Sequence, residues 1–408
     1  MRRFVLSVSA LTALTLAACA GVEVDAPDAP AGVDVSALHD RILTLDTHID
    51  IPLTYITEID PTGPTELQVD LPKLAQGRLD SGFWIVYTPQ GPLTPQGYAD
   101  ARAIAETRMA ALERLTGENP DFTLARTSAD VRRAVAQGNH AVLIGMENGY
   151  PLGPDFADLD RWAERGVRYV GITHFGHNQF ADSSNPHPER DVEAGRDPFH
   201  GGLSAEGRAL VRALNDAGIM VDVSHAGKQT MMEAADLSRA PIIASHSGAK
   251  AVADSPRNLD DEQLRKIAEV GGVAHMVALG AYVKLPTPEQ QAAREALDAE
   301  FGDRAIWDQA KRDLYGERRE AITAMAPRAS VSDFVDHIDH AVRVAGIDHV
   351  GIASDFDGGG GIDGWDDASE TEAVTAELVS RGYSEADIER IWSGNLLRVL
   401  DAAQAVAR

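Results

Sequence analysis

Eight short β-rich runs recur between residues 42 and 354, and six of them end on an ionisable side chain. The runs cover 42–47, 82–87, 140–146, 167–173, 219–224, 241–245, 271–277 and 348–354. Helical periodicity fills the gaps at 99–115, 155–165, 204–217, 227–238 and 259–269. Strands alternating with helical crossovers predict a parallel sheet, and eight such units predict that it closes: an α/β chain folded as a (β/α)8 TIM-like barrel. A doubly wound open sheet is the structural alternative, but its GxGxxG turn after the first strand is absent. The charged, helix-prone segment 281–329 reads as an insertion between the seventh and eighth strands, and 371–380 and 384–406 as C-terminal helices. At 408 residues, 44% of them hydrophobic, the chain can fill one core of barrel size, assigned to 37–408.

The ionisable residues share one place in the repeat. Asp46-Thr47-His48-Ile49-Asp50 accompanies the first strand, Glu147 follows the third, His174 the fourth, His225 the fifth, His246 the sixth and Asp355 the eighth. In a barrel the carboxyl ends of the strands meet at one mouth, where active sites are built. Taken singly, each has a plain structural reading: His48 and Asp50 as turn residues, Glu147 as a helix cap, His225 and His246 as rim histidines bonded to backbone. Their common placement favours one site.

Composition narrows what that site holds. One cysteine excludes disulfide frameworks, Cys-built zinc sites and CxxC redox chemistry, leaving thirteen histidines and the carboxylates as donors. Acidic residues outnumber basic ones 63 to 37 for a net charge of −26, so nucleic acid is not an expected partner. His48 and Asp50 lie two apart on an extended segment and face the same way. Glu147 has two oxygens to bridge two cations, and two imidazoles complete the second. A nitrogen and oxygen set suits zinc, with manganese, iron and nickel also compatible. Two such ions sit ~3.5–4 Å apart in binuclear hydrolases and clamp a water of lowered pKa between them. Asp355 is then the natural proton shuttle and His174 the natural partner of a developing oxyanion.

Other features are assigned no chemistry. Gly358–Gly361 lacks a following Lys-Ser/Thr and reads as a flexible rim segment. His337 and His340, beside Asp336 and Asp339, read as a surface helix. His177, His187 and His200 fall in the 175–202 loop with nothing to fix them. Asp222 fits either a partner orienting a histidine ligand or a buried barrel hydrogen bond. No GxSxG elbow is present.

The motifs DTHID (46–50), GMENG (145–149), YVGITH (169–174), DVSH (222–225), ASHS (244–247), SPRN (255–258) and GIASDFDG (351–358) occur in an order that resembles the membrane dipeptidase (renal dipeptidase) family, peptidase family M19, of the amidohydrolase superfamily. The resemblance spans about residues 38–400. It implies a binuclear zinc dipeptidase acting through a metal-bridging hydroxide. One Zn2+ would take His48, Asp50 and bridging Glu147, the second Glu147, His225 and His246. His174 would polarise the substrate carbonyl, Arg257 would bind the dipeptide's terminal carboxylate, and Asp355 would carry the proton to the leaving amine. Acceptance of a C-terminal D-residue is also implied. Asn148-Gly149-Tyr150 departs from the Gly-Gly-His of mammalian members, and the 281–329 insertion departs too. Other binuclear amidohydrolase activities, on lactones, cyclic amides or phosphotriesters, form the second reading. A carboxylate clamp has no use on a neutral phosphotriester, which favours the first. A catalytically dead envelope-anchored binding protein forms the third, and it need not keep a shuttle acid. Association into a homodimer is left open.

The amino terminus carries two arginines, an apolar run from Phe4 to Ala18 too short to span a bilayer comfortably, and Leu16-Ala17-Ala18-Cys19. This reads as a lipoprotein signal peptide over 1–18, with Cys19 lipidated as the new N-terminus. Ordinary secretion is the alternative. Ala20 is not the aspartate of inner-membrane retention, so the expected location is the periplasmic side of the envelope, at the outer membrane. Residues 19–36 read as a flexible tether.

Overall fold

A computed structural model describes residues 32–302 and 309–408. Among the described residues nine parallel strands form one sheet: β1 (Leu45–Ile49), β2 (Ser81–Tyr87), β3 (Phe122–Leu124), β4 (His140–Glu147), β5 (Val167–Gly171), β6 (Met220–Asp222), β7 (Ile243–Ser247), β8 (Val273–Val277) and β9 (Val350–Ala353). The order β1-β2-β4-β5-β6-β7-β8-β9 makes eight barrel staves, as expected, while β3 pairs only with β4 outside that path. The sequence reading did not contain β3; three residues, only Phe122 of them buried, carry too short a pattern to register. The barrel closes between its first and last staves through Asp50 N donating to Phe356 O at 2.9 Å and Asp355 N donating to His48 O at 3.1 Å.

Alternation along the staves divides the core. Phe83 and Ile85 of β2 and Leu143 of β4 belong to one buried cluster, and Trp84, Val86, Val142 and Ile144 to another. The first cluster also holds Leu45, Met220, Ile243 and Val273, each the first residue of its strand or next to it. Leu396, Leu397 and Leu400 of the helix Asn395–Ala405 join them, so this helix stops the amino-terminal end of the barrel. The carboxyl end stays open for the polar residues.

Polar groups inside the barrel fix that end. The expected first strand ended at 47, but β1 runs to Ile49, so Asp46 to Ile49 of the motif lie within the strand and Asp50 directly follows it. The reason is hydrogen bonding. Asp46 Oδ1 accepts from His48 N at 3.1 Å and from Ser354 N at 3.0 Å, and Thr47 Oγ1 donates to Ser245 O and Ile352 O. Burial raises the Asp46 carboxyl to about 6. Gly145 permits a further crossing: a Cβ there would meet the Tyr169 ring at 2.3 Å, so only glycine lets that phenol lie across the barrel interior.

Among the described residues the 281–329 insertion opens on the short helix Gly280–Val283 and continues with Pro288–Phe301 and Gln309–Thr323, the latter two sharing a small cluster at Leu297, Phe301 and Tyr315. Helices Glu372–Ser380, Glu385–Glu389 and Asn395–Ala405 complete the C-terminal part. Val35 and Ser36, the end of the expected tether, begin the helix Val35–His39, whose His39 bonds to Gly77 O and Thr375 Oγ1. Cys19 and the signal segment lie outside the described residues.

Three expectations change. His337 is buried, not on a surface: its ring bonds to Ala249 N and Val283 O and ties its helix to the barrel loops, while Asp336 and Asp339 pair with Arg381. Gly358–Gly361 is anchored, with Gly360 N donating to Asp355 O at 2.7 Å and Gly361 N to Ala278 O at 3.1 Å. His177, His187 and His200 are fixed by hydrogen bonds inside their own loop, and none lines the cavity at the barrel mouth.

Candidate metal centre

His48, Asp50, Glu147, His174, His225, His246 and Asp355 meet at the barrel mouth, while Asp46 lies in the interior behind them. Three groups of ligand-type atoms lie within 4.8 Å of one another: His48, Asp50 and Glu147; Glu147, His225 and His246; and His48, His246 and Asp355. Glu147 is common to the first two. Its Oε1 lies 3.0 Å from His225 Nε2 and 3.3 Å from His246 Nε2, and its Oε2 3.7 Å from His48 Nε2. Asp355 Oδ1 stands 3.7 Å from His48 Nε2, and His174 Nε2 3.9 Å from Glu147 Oε1.

Neighbouring hydrogen bonds set which ring nitrogen faces inward. Tyr169 donates its single phenolic proton to Thr47 O, so its oxygen accepts from His48 Nδ1 at 3.0 Å. In the neutral ring this places the lone pair of His48 on Nε2, a buried atom with no hydrogen-bond partner, although burial is outweighed by Glu147 and Asp50, which hold the imidazole well above its ordinary range. Ser245 Oγ donates to Asp222 Oδ2 at 2.8 Å and accepts from His246 Nδ1 at 2.8 Å, which turns His246 Nε2 toward the centre with its lone pair. Asp222 thus orients a histidine through a serine, and also accepts from Ser224 N and Ser245 N. Tyr169 and Ser245 were not among the expected site residues. Their signal was their position inside YVGITH and ASHS, on strands facing the interior.

Electrostatics suit cation binding. Burial alone would raise the Glu147 carboxyl, but the imidazoles of His48, His174, His225 and His246 hold it well below the usual carboxylate range. Burial pushes His225 and His246 well below the ordinary histidine value, so both stand as neutral imidazoles, the form a metal needs. The His225 and His246 Nε2 atoms face each other at 2.9 Å across the Glu147 oxygen. Five buried or nearly buried nitrogen and oxygen donors converging this closely fit divalent cations. Asp355 is pushed well above its usual range by burial and by the charges of Asp50 and Glu147.

Local backbone aims these side chains. His225 and Asp355 both take left-handed conformations, at φ 64° and 61°, which turn each out of its strand toward the centre. Gly358 is required beside them, because a Cβ there would meet Asp50 Oδ2 at 2.2 Å and Asp355 Oδ1 at 2.6 Å. A cavity of about 320 Å³ opens over the cluster, walled by Tyr87, Arg108, Phe175, Leu279 and Tyr282 among others. His174 sits between the tilted rings of Tyr87 and Phe175 on its rim. Arg257 stands behind the cluster. Its Nη2 donates to His246 O at 2.8 Å, its guanidinium lies 5.2 Å from the Tyr282 ring, and it lines an adjacent cavity that shares His225. Tyr150, at the mammalian histidine's position, is buried with its hydroxyl donating to Pro92 O at 2.6 Å.

A (β/α)8 barrel with this donor set at its strand ends is built as a metal-dependent hydrolase. The family model described as membrane dipeptidase (peptidase family M19) matches residues 33–408, and the chain belongs to that family of metallodipeptidases. It is 33% identical over 347 residues to dipeptidase aclJ of Aspergillus oryzae, covering 84% of this chain and 71% of that protein. Among solved structures it resembles the probable dipeptidase PvdM from Pseudomonas aeruginosa at 38% identity and a TM-score of 0.82, over 91% of this chain and 98% of that one. A metallopeptidase from Rhodobacter sphaeroides, liganded with a phosphinate mimic of the dipeptide L-Ala-D-Ala, shares the fold at 24% identity and a TM-score of 0.69, over 89% and 99%.

Glu147→Gln keeps the shape of the shared donor and removes its charge. The variant is expected to lose bound metal on dialysis under conditions where the wild type keeps it, as read by elemental analysis. Full retention would show that Glu147 is not a ligand.

Proposed function

We propose that this metallodipeptidase works with two zinc ions bridged by Glu147, one also held by His48 and Asp50 and the other by His225 and His246. The observation that carries the reading is the pair of donor groups sharing one buried glutamate. When bound, such ions supply a water of lowered pKa and polarise the scissile carbonyl.

The chain's own residues supply the rest. His174, lowered by burial and placed on the rim beside Glu147, offers a neutral N–H to the carbonyl oxygen as charge develops on it. Asp355, raised and buried between His48 and Gly358, accepts a proton from the attacking water and returns it to the departing amine. Arg257, fixed by His246 O and Tyr282, presents a planar guanidinium suited to the terminal carboxylate of a dipeptide. A clamp on the terminal carboxylate places the adjacent peptide bond at the centre, which suits a short substrate with its carboxyl end one residue from the scissile bond. Kinship with the family extends this to dipeptides with a C-terminal D-residue.

Asp355→Asn is expected to keep its metal and to lose about 10²–10⁴-fold in kcat on a panel containing L-Ala-L-Ala and L-Ala-D-Ala. A metal-loaded wild type inert on every dipeptide would refute the reading, and near-normal turnover by the variant would remove Asp355 from the mechanism. We also propose export as a lipoprotein, supported by Leu16-Ala17-Ala18-Cys19 and the apolar run before it. Cys19→Ser should move the protein from the membrane fraction to the soluble periplasmic or precursor pool; unchanged membrane association would argue against the anchor.

A further inference from the structure

Arg108 is the basic residue in the wall of the metal cavity, and its guanidinium is unlike most on the molecule. Arg165 meets Glu106 and Glu113, and Arg381 meets Asp336, Asp339 and Glu377. Arg108 instead donates through Nε to Ile51 O at 3.0 Å and through Nη1 to Tyr87 O at 3.0 Å, and lies 5.5 Å from the Tyr87 ring centre. Both acceptors are neutral carbonyls. Among the described residues no carboxylate forms an ion pair with it, and the two whose charge it feels, Asp50 and Glu147, are turned into the donor cluster. Half-buried on the long helix Pro95–Glu118, the group is held rigidly while Nη2 makes no hydrogen bond to protein.

Position gives this cation a meaning. Arg257 is on the side of the centre formed by His246, Ser247 and Tyr282. Arg108 is on the side formed by Asp50, Ile51 and Tyr87. On the dipeptidase reading, on which this inference rests, a substrate whose terminal carboxylate meets Arg257 extends its N-terminal residue toward Arg108. A fixed guanidinium with spare N–H groups in a cavity wall selects a carboxylate, because a charge-assisted contact there replaces water without first ordering a flexible side chain. We propose that Arg108 is a specificity-determining residue that binds an acidic side chain, glutamate or aspartate, on the N-terminal residue of the dipeptide.

L-Glu-L-Ala and L-Gln-L-Ala have nearly the same shape and differ in that charge, so the wild type tests the idea directly. Its kcat/KM should favour L-Glu-L-Ala by about tenfold or more, chiefly through KM. In Arg108→Gln the ratio should collapse toward one, and Arg108→Lys should restore part of it. A residue that merely braces the loop would lower both substrates together and leave the ratio unchanged, which would overturn the inference. A wild-type ratio near one would overturn it without any variant. Hydrolysis of L-Gln-L-Ala alone would leave the dipeptidase reading standing while sinking this one; no hydrolysis of either, or of L-Ala-L-Ala, by metal-loaded protein would sink both.

Discussion

Glu147 is the constraint around which the barrel mouth is arranged. A carboxylate only 4% exposed, with three imidazole nitrogens within 3.7 Å, is costly unless its charge is met. Those imidazoles come from β1 and from the ends of β6 and β7, so meeting it requires the staves to be in register. Closure between β1 and β9 brings Asp355 to the same place. The interior behind the centre is correspondingly polar: Asp46, Thr47, Tyr169, Asp222 and Ser245 use their hydrogen bonds to fix strand ends and ring orientations together. Removing one of these groups would leave buried donors unpaired at about 1–3 kcal/mol each.

The functional centre was largely legible because its signal repeats. An ionisable residue after six of the eight apolar runs is a pattern spread along the chain, and the barrel turns that one-dimensional regularity into a ring. His48, Asp50, Glu147, His174, His225, His246 and Asp355 could be placed by position without knowing any contact. Residues acting through another side chain lack such a pattern. Tyr169 looks like an ordinary strand aromatic until Gly145 is seen to clear the path of its ring, and Ser245 looks like filler beside His246. Arg108 sits on a helix face, where an arginine usually means solvent. His337 misled for the same reason: an i, i+3 histidine pair among aspartates has a surface composition, yet its ring is claimed by Ala249 and Val283 from other elements.

Membership in the membrane dipeptidase family and the donor geometry bear on different matters. Family assignment fixes the reaction class, while the structure shows where this chain departs. Tyr150 turns its hydroxyl away to Pro92, so the side chain at the mammalian histidine's position braces a loop instead of lining the cavity. Among the described residues the insertion contributes to the site at its root, where Tyr282 forms part of the cavity wall and supports Arg257.

The central claim is that two ions share Glu147. Anomalous diffraction at the zinc edge, from crystals grown with zinc, tests it most directly. The account predicts two peaks ~3.5–4 Å apart, one beside His48 and Asp50 and the other beside His225 and His246, with Glu147 between them. A single peak, or two that do not both contact Glu147, would contradict it.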